Sequence, residues 1–569
     1  MNSRQQLRAR LVLGCICIAA CGLALALFSA QILKGETYAE KGRKQYVRPA
    51  ATLFDRGSIF FTAKDGSQST AATLTMGSIV YMNPSLIKDA DGTFDALSQY
   101  IELDYEQFMK KASLQTDPYE ELARKVDPLV GQSIASLKLV GVGVAKETRR
   151  AYASGPLAAH ALGIVGENNT SGKIEGRYGL ERSYEEILKR TGDTSTSNIF
   201  AHIFSSIYDS FSTPEEGDLV TTIEPTVQDQ LEKTLMRTLS QWNSDEIGGI
   251  IMDPKTGKIV AMGALPNFDL NNLAAVKDPA VFSNPLVESS YELGSIMKPL
   301  TIAVALDTKA VPLSYTYDDT GTMTLSGKKI SNFDGVARGV VPLQEILSQS
   351  LNVGTAKLAL KIGKDDFSKY FTSFGFGSKT NIDQPNETAG LTANLESGRD
   401  IEIATMAYGQ GIALSPIAMT KALAVLANNG KTVQPHFGEK IKYIDGSEKI
   451  LEYPKGKSVL KPESVEQVTR MLVEVVDTAL RKGELKMEHY TIAAKTGTAQ
   501  IPNPSTKTYY PDRYLHSFFG YFPAYEPKFI VFLYQVNPKG AKFASDTLTN
   551  PFGDITKFLI DYYNIPPDR

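Results

Sequence analysis

Hydrophobic and polar positions along this chain predict one long apolar run followed by two regions of mixed pattern. The apolar run covers residues 11–33 and follows three basic residues, Arg4, Arg8 and Arg10. A helix needs about 20 apolar residues to cross a bilayer, whereas the apolar core of a cleaved secretory signal has about 7 to 15. We therefore predict a cytoplasmic tail at 1–10, an uncleaved transmembrane anchor at 11–33, and the remainder outside the cytoplasm.

The cysteines of the chain all lie inside this apolar run, at Cys15, Cys17 and Cys21. The segment ending at Cys21 resembles a bacterial lipoprotein cleavage box, but apolar sequence continues for a dozen residues beyond it. A plain anchor is favoured for that reason, and lipidation of Cys21 stays an alternative. The remaining sequence has no thiol, which excludes a disulfide framework or a cysteine metal site there.

Residues 34–216 have mixed character and predict a first extracytoplasmic α+β domain. Short β-rich pieces such as 77–82 alternate with polar helical stretches such as Tyr105 to Ala112. A polar, turn-rich segment at 213–218 precedes a strand-like run at 219–223, so we place the main domain boundary between residues 216 and 217.

Residues 217–569 predict a second domain that combines a sheet with helices. Two apolar runs, 248–252 and 258–262, flank a Pro/Gly turn and predict a hairpin. Further strands are predicted at 517–522 and 529–536. Helical patterns occur at 226–242, 298–310, 401–426 and 551–563, and together these elements indicate the α+β class.

Length and charge narrow the classes of function. A chain of 569 residues exceeds what one hydrophobic core usually supports. The net charge of −3, with basic and acidic residues interspersed, gives no electrostatic reason to expect a nucleic-acid partner.

A serine followed three residues later by a lysine is the first chemical signal. The pattern begins at four positions, Ser85, Ser295, Ser326 and Ser458. Only Ser295 lies between a glycine and a long apolar run, which predicts a buried helix beginning at the serine. Residues three apart share a helix face, so Lys298 is expected beside the Ser295 hydroxyl, and burial would lower its pKa enough for it to act as a base.

Lys495-Thr496-Gly497-Thr498 is the second signal, and it has one decoy. Lys255-Thr256-Gly257 matches equally well but lies in the predicted hairpin turn, where a lysine and a glycine are expected for backbone and solvent reasons. The pattern at 495 follows a β-like run and continues as a strand. We expect an edge strand beside a cleft.

Ser350-Leu351-Asn352 is the third signal and the only Ser-x-Asn in the sequence. Taken alone it would serve equally well as a helix cap. Between Ser295 and Lys495 in the chain, it completes an ordered set of motifs, which is far more specific than any one of them.

This ordered set resembles the penicillin-recognising serine acyltransferases. More narrowly, the chain resembles a class B penicillin-binding protein of the division or septal type. Additional matches to that class occur at 56–59, 178–181, 408–411 and 427–430. The sequence departs from the pattern of that class at 61–66 and 150–153, and these departures affect the expected contacts of the first domain. The resemblance implies an elongated α+β pedestal at 34–216, and a transpeptidase domain at 217–569 with an antiparallel five-stranded sheet flanked by helices plus an all-α subdomain.

The resemblance also implies residue roles. Ser295 would be the nucleophile and Lys298 its base, Ser350 and Lys495 would relay a proton to the leaving group, and Asn352 would hold the substrate amide. Thr496, Gly497 and Thr498 would bind the substrate. The substrate would be a peptidoglycan stem peptide, delivered as part of a lipid-linked precursor, and β-lactams would acylate the same serine. No metal or organic cofactor would be needed.

Septal cross-linking at the plasma membrane is the implied cellular role, because septal enzymes usually carry Ser-x-Asn while many elongation enzymes carry Asp at the third place. A polytopic glycosyltransferase of the division machinery would be the partner. Three alternatives of the same fold stay open: an elongation transpeptidase, a D,D-carboxypeptidase or β-lactamase, and a catalytically silent β-lactam sensor.

Overall fold

A computed structural model describes residues 55–168, 174–190 and 216–569. The predicted tail at 1–10 and anchor at 11–33 lie outside these residues. In the part of the chain that is described, none of the helices combines the length and apolar character needed to cross a bilayer.

The strands are, in chain order, β1 Ile59–Thr62, β2 Gln68–Met82, β3 Glu120–Val126, β4 Val142–Tyr152, β5 Val165–Glu167, β6 Ile174–Gly176, β7 Gly217–Thr221, β8 Glu246–Met252, β9 Ile259–Leu265, β10 Thr316–Asp319, β11 Thr322–Leu325, β12 Lys328–Ser331, β13 Gly339–Pro342, β14 Gly438–Tyr443, β15 Glu448–Ile450, β16 Ala493–Asn503, β17 Thr508–Phe522 and β18 Phe529–Val536.

The α-helices are, in chain order, α1 Ala90–Ser98, α2 Tyr105–Ala112, α3 Pro128–Ser136, α4 Ala159–Leu162, α5 Gly179–Ser183, α6 Glu185–Leu188, α7 Pro225–Trp242, α8 Pro285–Glu288, α9 Lys298–Asp307, α10 Gln344–Ser348, α11 Asn352–Ile362, α12 Lys364–Ser373, α13 Asn394–Ser397, α14 Asp400–Met406, α15 Pro416–Ala424, α16 Pro462–Glu474 and α17 Ala544–Tyr563.

Two compact units make up the described chain. The smaller unit contains residues 74–149, and the larger contains residues 56–73 and 150–569. Strand β2 passes from one unit to the other, because its first residues belong to the larger unit. The domain boundary that the sequence places between 216 and 217 stays a prediction.

The smaller unit has its own hydrophobic core, formed where helices α1 to α3 cover a short antiparallel pairing of β2 with β3. Val80, Met82, Leu97, Phe108 and Ile134 are at its centre. Each helix begins after an aspartate whose side chain accepts a backbone N–H of the first turn. Such caps satisfy donors that a helix cannot bond internally.

Within its described residues, the larger unit contains two main sheets, besides the two-stranded sheets β5-β6, β10-β13 and β11-β12. In the first, β7 lies between β1, with which it runs parallel, and β14, with which it runs antiparallel. The second is the five-stranded antiparallel sheet in the order β16-β17-β18-β8-β9. The mixed α+β fold expected from the resemblance is therefore confirmed, with β16 at one edge of this sheet.

A buried ion cluster joins three separate segments of the larger unit. The Glu181 carboxylate, with no exposed surface, accepts from Arg56 Nε at 2.6 Å and from Arg150 Nε at 2.7 Å. It also accepts from the Tyr152 hydroxyl at 3.2 Å, while an Arg56 Nη pairs with Glu185 at 2.8 Å. Charges this deep in a protein require such partners, because an unpaired one is costly to bury.

Helices α7 and α17 contact each other and the five-stranded sheet, and a helical region from α9 to α15 follows the first hairpin of that sheet in sequence. The predicted hairpin, the strand at 529–536 and the helix at 226–242 all occur within three residues of their expected bounds.

The predicted helix at 401–426 is wrong in its middle. Helices α14 and α15 are separated by a loop in which Gly409 and Gly411 have φ of +86° and +73°, a backbone region that favours glycine. Helix α17 also begins at Ala544, earlier than the predicted start at Pro551, and the proline lies inside the helix.

Candidate active site

Ser295 lies in a short 3₁₀ turn, Gly294–Met297, that runs directly into helix α9. Its neighbours Ile296 and Met297 are buried, while Ser295 is half-buried at the wall of a cleft. Gly294 has φ of +66°, and a Cβ there would come within 2.9 Å of the Thr498 carbonyl oxygen. The turn therefore requires glycine before the serine, both for its backbone angle and for its contact with strand β16.

Gly497 provides the matching close approach from the strand. A Cβ at this position would lie 2.4 Å from Ser517 Oγ and 2.5 Å from the Leu293 carbonyl oxygen. Ser517 Oγ itself donates to that carbonyl at 2.7 Å. Only a residue without a side chain lets β16 lie against the turn that carries Ser295.

Lys298 is fully buried, and its amine points to Ser350. The Nζ donates to the Ser350 carbonyl at 2.5 Å and to Ser350 Oγ at 3.1 Å. Burial holds the pKa of Lys298 well below its usual range, and the positive charge of Lys495 lowers it further. Within the described residues the Ser295 hydroxyl makes no hydrogen bond to Lys298, although catalytic hydrogen bonds often tighten only when substrate binds.

Ser350 lies between two amines. Lys495 Nζ donates to Ser350 Oγ at 3.2 Å, on the same oxygen that Lys298 contacts. A hydroxyl oxygen has two lone pairs, so both amines can be accommodated while the hydroxyl proton stays available to a third group. Burial lowers the pKa of Lys495 to about 8.

The backbone at Ser350 has φ of +55°, a conformation that a serine rarely adopts. Ser350 lies between helices α10 and α11, and Leu351, between it and Asn352, is fully buried. The conformation is therefore built into the loop that joins the two helices. Such strain is typical of functional positions, because the surrounding structure has to maintain it.

Asn352 is the first residue of α11, and its amide donates to the Ser331 carbonyl at 2.9 Å. Thr498 Oγ1 accepts the Ala544 N–H, at the start of helix α17, at 3.0 Å. The Thr498 hydroxyl oxygen is thus used as an acceptor, which leaves its proton free to donate toward the cleft.

One cleft collects these groups. It has a volume of about 690 Å³, and Ser295, Ser350, Asn352, Lys495, Thr496 and Thr498 all line it. The structure therefore brings together predicted site residues that lie up to 203 positions apart in the sequence. Gly497 and Lys298 lie directly behind this lining.

Comparison with known families decides the class of the chain. Residues 247–557, more than half of the sequence, match the family of the penicillin binding protein transpeptidase domain. Residues 56–200 match the penicillin-binding protein dimerisation domain.

The chain belongs to the penicillin-binding protein transpeptidase family. With the dimerisation domain before it, this match confirms the resemblance to a class B penicillin-binding protein and the expected enzyme class. The roles of individual residues stay predictions.

Relatives of known name cover nearly the whole chain. The chain is 28% identical to the stage V sporulation protein D of Bacillus subtilis, over 95% of this chain and 83% of that protein. It is 26% identical to the peptidoglycan D,D-transpeptidase FtsI of Escherichia coli, over 99% of this chain and 92% of that protein. The crystal structure of penicillin binding protein 2X from Streptococcus thermophilus has the same fold, with a TM-score of 0.72 at 20% identity over 90% of this chain and 80% of that one.

The sequence decoys of this penicillin-binding protein lie elsewhere. Ser326 occupies the turn between β11 and β12 with φ of +48°, and Ser85 belongs to the smaller unit. Lys255 lies in the turn between β8 and β9, where Thr256 Oγ1 donates to Asp253 at 2.8 Å. None of these three residues belongs to the described lining of the cleft that contains Ser295 and Lys495.

Several residues that line the cleft are not among the predicted site residues. Tyr408 and Gln410 belong to the glycine-containing loop that was predicted as helix, and Asn332 and Lys542 carried no motif. The pattern at 408–411 resembles the family, and that resemblance is the signal that could indicate the first pair. No local sequence signal marks Asn332 and Lys542, because contacts with residues far away in the sequence place them at the cleft.

Proposed function

We propose that this protein is a membrane-anchored peptidoglycan D,D-transpeptidase that cross-links stem peptides through an acyl-enzyme on Ser295 during septal wall synthesis. The arrangement that carries the proposal is the contact of Ser350 Oγ with both Lys298 and Lys495 in the cleft that contains Ser295. A nucleophile, a base of lowered pKa and a proton relay are the parts that serine acyl transfer needs.

In the first step, Ser295 Oγ attacks the carbonyl carbon of the penultimate D-Ala, and its proton passes to the neutral amine of Lys298. The C–N bond then breaks, and the leaving D-Ala amine takes the Ser350 hydroxyl proton, which Lys298 replaces with the proton it took from Ser295 while Lys495 keeps its charge. The product is an ester on Ser295 and a free D-Ala. The lowered pKa of Lys298 supports its role, because a fully protonated lysine could not accept the serine proton.

The second step reverses the proton path. An amine of a neighbouring stem peptide attacks the ester carbonyl and gives a proton to Ser350, which passes its own proton to Lys298. The C–O bond to Ser295 then breaks, and Lys298 returns the proton to the Ser295 oxygen. The new amide is the cross-link. Asn352 would orient the donor amide during both steps.

Charge on the reacting carbonyl and on the donor terminus also needs partners. We assign the oxyanion to the backbone N–H groups of Ser295 and Thr498, since the turn and the strand lie in contact at Gly294 and Gly497. Loss of one such donor typically costs about 100- to 1,000-fold in rate. Lys495, Thr496 and Thr498 would bind the terminal carboxylate.

The septal role is supported by one sequence motif and by the names of relatives, and not by the geometry of the cleft. The sequence carries Ser350-x-Asn352, and the relatives include a protein named for sporulation and one named FtsI. The apolar run at 11–33 would anchor the protein in the plasma membrane, next to a polytopic glycosyltransferase of the division machinery. A fluorescent fusion in dividing cells should form rings at midcell, and a dispersed sidewall signal would favour the elongation role.

Covalent labelling tests the nucleophile. The purified protein should be labelled by a fluorescent penicillin, and Ser295→Ala should abolish labelling while retaining the thermal unfolding midpoint. Ser326→Ala is the matched control, because it changes the same motif in an exposed hairpin turn and should label normally. Labelling of Ser295→Ala at the wild-type rate would refute the assignment.

Product analysis tests the reaction. With stem peptides as substrates, mass spectrometry should detect cross-linked dimers that depend on Ser295. Trimmed monomers without dimers would indicate a carboxypeptidase, and stable acylation by penicillin without either product would indicate a sensor.

A further inference from the structure

The charge of the cleft is one-sided. Four cationic side chains line it, those of Arg338, Arg481, Lys495 and Lys542, and its described lining includes no aspartate or glutamate. Lys495 belongs to the machinery already assigned. The other three cations differ in whether a carboxylate of the protein already pairs with them, which decides whether they are available to a substrate.

Both arginines already have anionic partners. Arg338 makes a two-point contact with Asp334, at 2.8 and 2.7 Å, and this pairing lowers the pKa of Asp334 to about 2. Arg481 Nε pairs with Glu484 at 2.6 Å. A planar guanidinium held in this way by a carboxylate is satisfied within the protein.

Lys542 differs from both. Its side chain is exposed, and among the described residues no ion pair joins its Nζ to a carboxylate. The nearest aromatic contact of the ammonium is the ring of its neighbour Phe543, 5.4 Å from the ring centroid. Lys542 is therefore a cation at the cleft wall whose charge no carboxylate of the described residues neutralises.

The backbone that follows the Lys542 side chain is held at two points. His516 Nε2 lies 3.2 Å from the Lys542 carbonyl, and since a carbonyl can only accept, this nitrogen carries the ring proton. Burial lowers the pKa of His516 to about 4, which keeps the ring neutral, and its Nδ1 accepts from Thr547 Oγ1 at 2.8 Å. Two residues after Lys542, the Ala544 N–H bonds to Thr498.

We propose that Lys542 is a specificity-determining residue that binds a second carboxylate of the donor, carried on the acyl side of the scissile bond. The inference rests on the proposed function, in which Thr498 and Lys495 bind the terminal carboxylate. Lys542 is on the wall that continues from Thr498, so a donor with a further carboxylate upstream meets an unpaired ammonium there. A donor that carries an amide at that position gains nothing from it.

Two penicillins provide a matched pair of probes. Benzylpenicillin carries only the ring carboxylate that stands in for the donor terminus, whereas α-carboxybenzylpenicillin carries a second carboxylate on its acyl side chain. Lys542→Met should lower the second-order acylation rate of the second probe about two- to fivefold, the range expected for an exposed ion pair, and leave benzylpenicillin unchanged. Raised ionic strength should reduce this difference in the wild type.

Charge-preserving and charge-reversing variants complete the test. Lys542→Arg should keep the preference for the dicarboxylate probe, and Lys542→Glu should reverse it. Stem peptides ending in D-Ala-D-Ala, with and without a side-chain carboxylate at the third residue, should show the same preference in D-Ala release.

The possible failures are distinguishable. If Lys542→Met slows both probes equally, the residue acts on the shared terminal carboxylate or on the wall as a whole, and the proposal is overturned; unchanged rates for both probes overturn it as well. If wild-type protein is not acylated at Ser295 by benzylpenicillin, the proposed function fails instead.

Discussion

The side-chain oxygen of Asn332 accepts a hydrogen bond from the Val353 N–H at 3.1 Å. The amide nitrogen of the same residue donates to both carboxylate oxygens of Asp319, at 3.1 and 2.9 Å, and both side chains are buried. Asn332 therefore connects a buried carboxylate to the first turn of α11, next to Asn352.

Asn332→Ala should impair both stability and acylation. The change leaves the Asp319 carboxylate without its amide donor in a buried site, and such an unsatisfied group costs about 1–3 kcal/mol. The Ser350 loop should become less ordered, so we expect the second-order acylation rate of a fluorescent penicillin to fall by about tenfold, which corresponds to about 1.4 kcal/mol. Asn272→Ala is the control, since Asn272 is exposed and its side chain caps no helix. A normal acylation rate in folded Asn332→Ala would show that the bond has no part in ordering the loop.

Gly497→Ala should separate the strand from the nucleophile turn. The added methyl group would meet Ser517 Oγ and the Leu293 carbonyl at distances that atoms do not tolerate, so β16 must shift. Overpacking of this kind typically costs about 1–3 kcal/mol of unfolding free energy, and acylation should fall by more than about tenfold. Gly77→Ala is the control, because a Cβ there meets its nearest atom at an ordinary 3.5 Å. Equal effects of the two changes on labelling would contradict this reading.

Acylation should decline at alkaline pH because of Lys495. Its pKa of about 8 means that the ammonium, which attracts the probe carboxylate, is present below that pH and lost as the pH rises through it. Lys298 has the opposite requirement, since its neutral form is the base, and its lowered pKa makes that form available at neutral pH. The rate of penicillin acylation measured against pH should therefore show a falling limb near pH 8.

Lys495→Arg tests which group causes the falling limb. An arginine stays charged across this range, so the limb should move to higher pH even if the maximal rate drops. A falling limb that stays near pH 8 in this variant would assign it to another group.

Glu181→Gln should destabilise the larger unit without direct effect on the cleft. The change removes the charge that Arg56 and Arg150 share, and breaking a buried ion pair typically costs about 3–5 kcal/mol. Denaturant unfolding measures this cost. Glu186→Gln is the matched control: its side chain is 81% exposed, and its ion pair is with the half-buried Lys189, so the loss should stay below about 1 kcal/mol. Similar losses in both variants would mean that the cluster is not a source of stability.

Local pattern predicted much of this fold and the placement of the main motifs. Strand β18 and helix α7 follow from apolar periodicity, and Ser295 was separated from its decoys by the glycine and apolar run around it. These features depend on neighbours in sequence. Their signals are therefore readable without the structure.

Contacts between distant segments could not be predicted in this way. Asn332, which directly follows the β11-β12 hairpin, accepts a hydrogen bond from the Val353 N–H. Lys542 lies at the cleft because His516 and Thr498 bond to the backbone of its loop. The break between α14 and α15 was missed because its flanking residues are apolar enough to imitate one buried helix. Helix α17 begins before Pro551 because its first turn contacts Thr498, a relationship that the helix sequence alone does not contain.

The pairing of β1 with β7 has a practical consequence for producing the protein. Ile59 and Phe60 pair with Leu219 and Val220. The larger unit therefore includes a segment that precedes the smaller unit in the sequence. A recombinant form that starts at Gly217 would leave one edge of β7 unpaired, and an exposed strand edge is a template for aggregation. Soluble forms for crystallisation or inhibitor screening should therefore begin before Arg56.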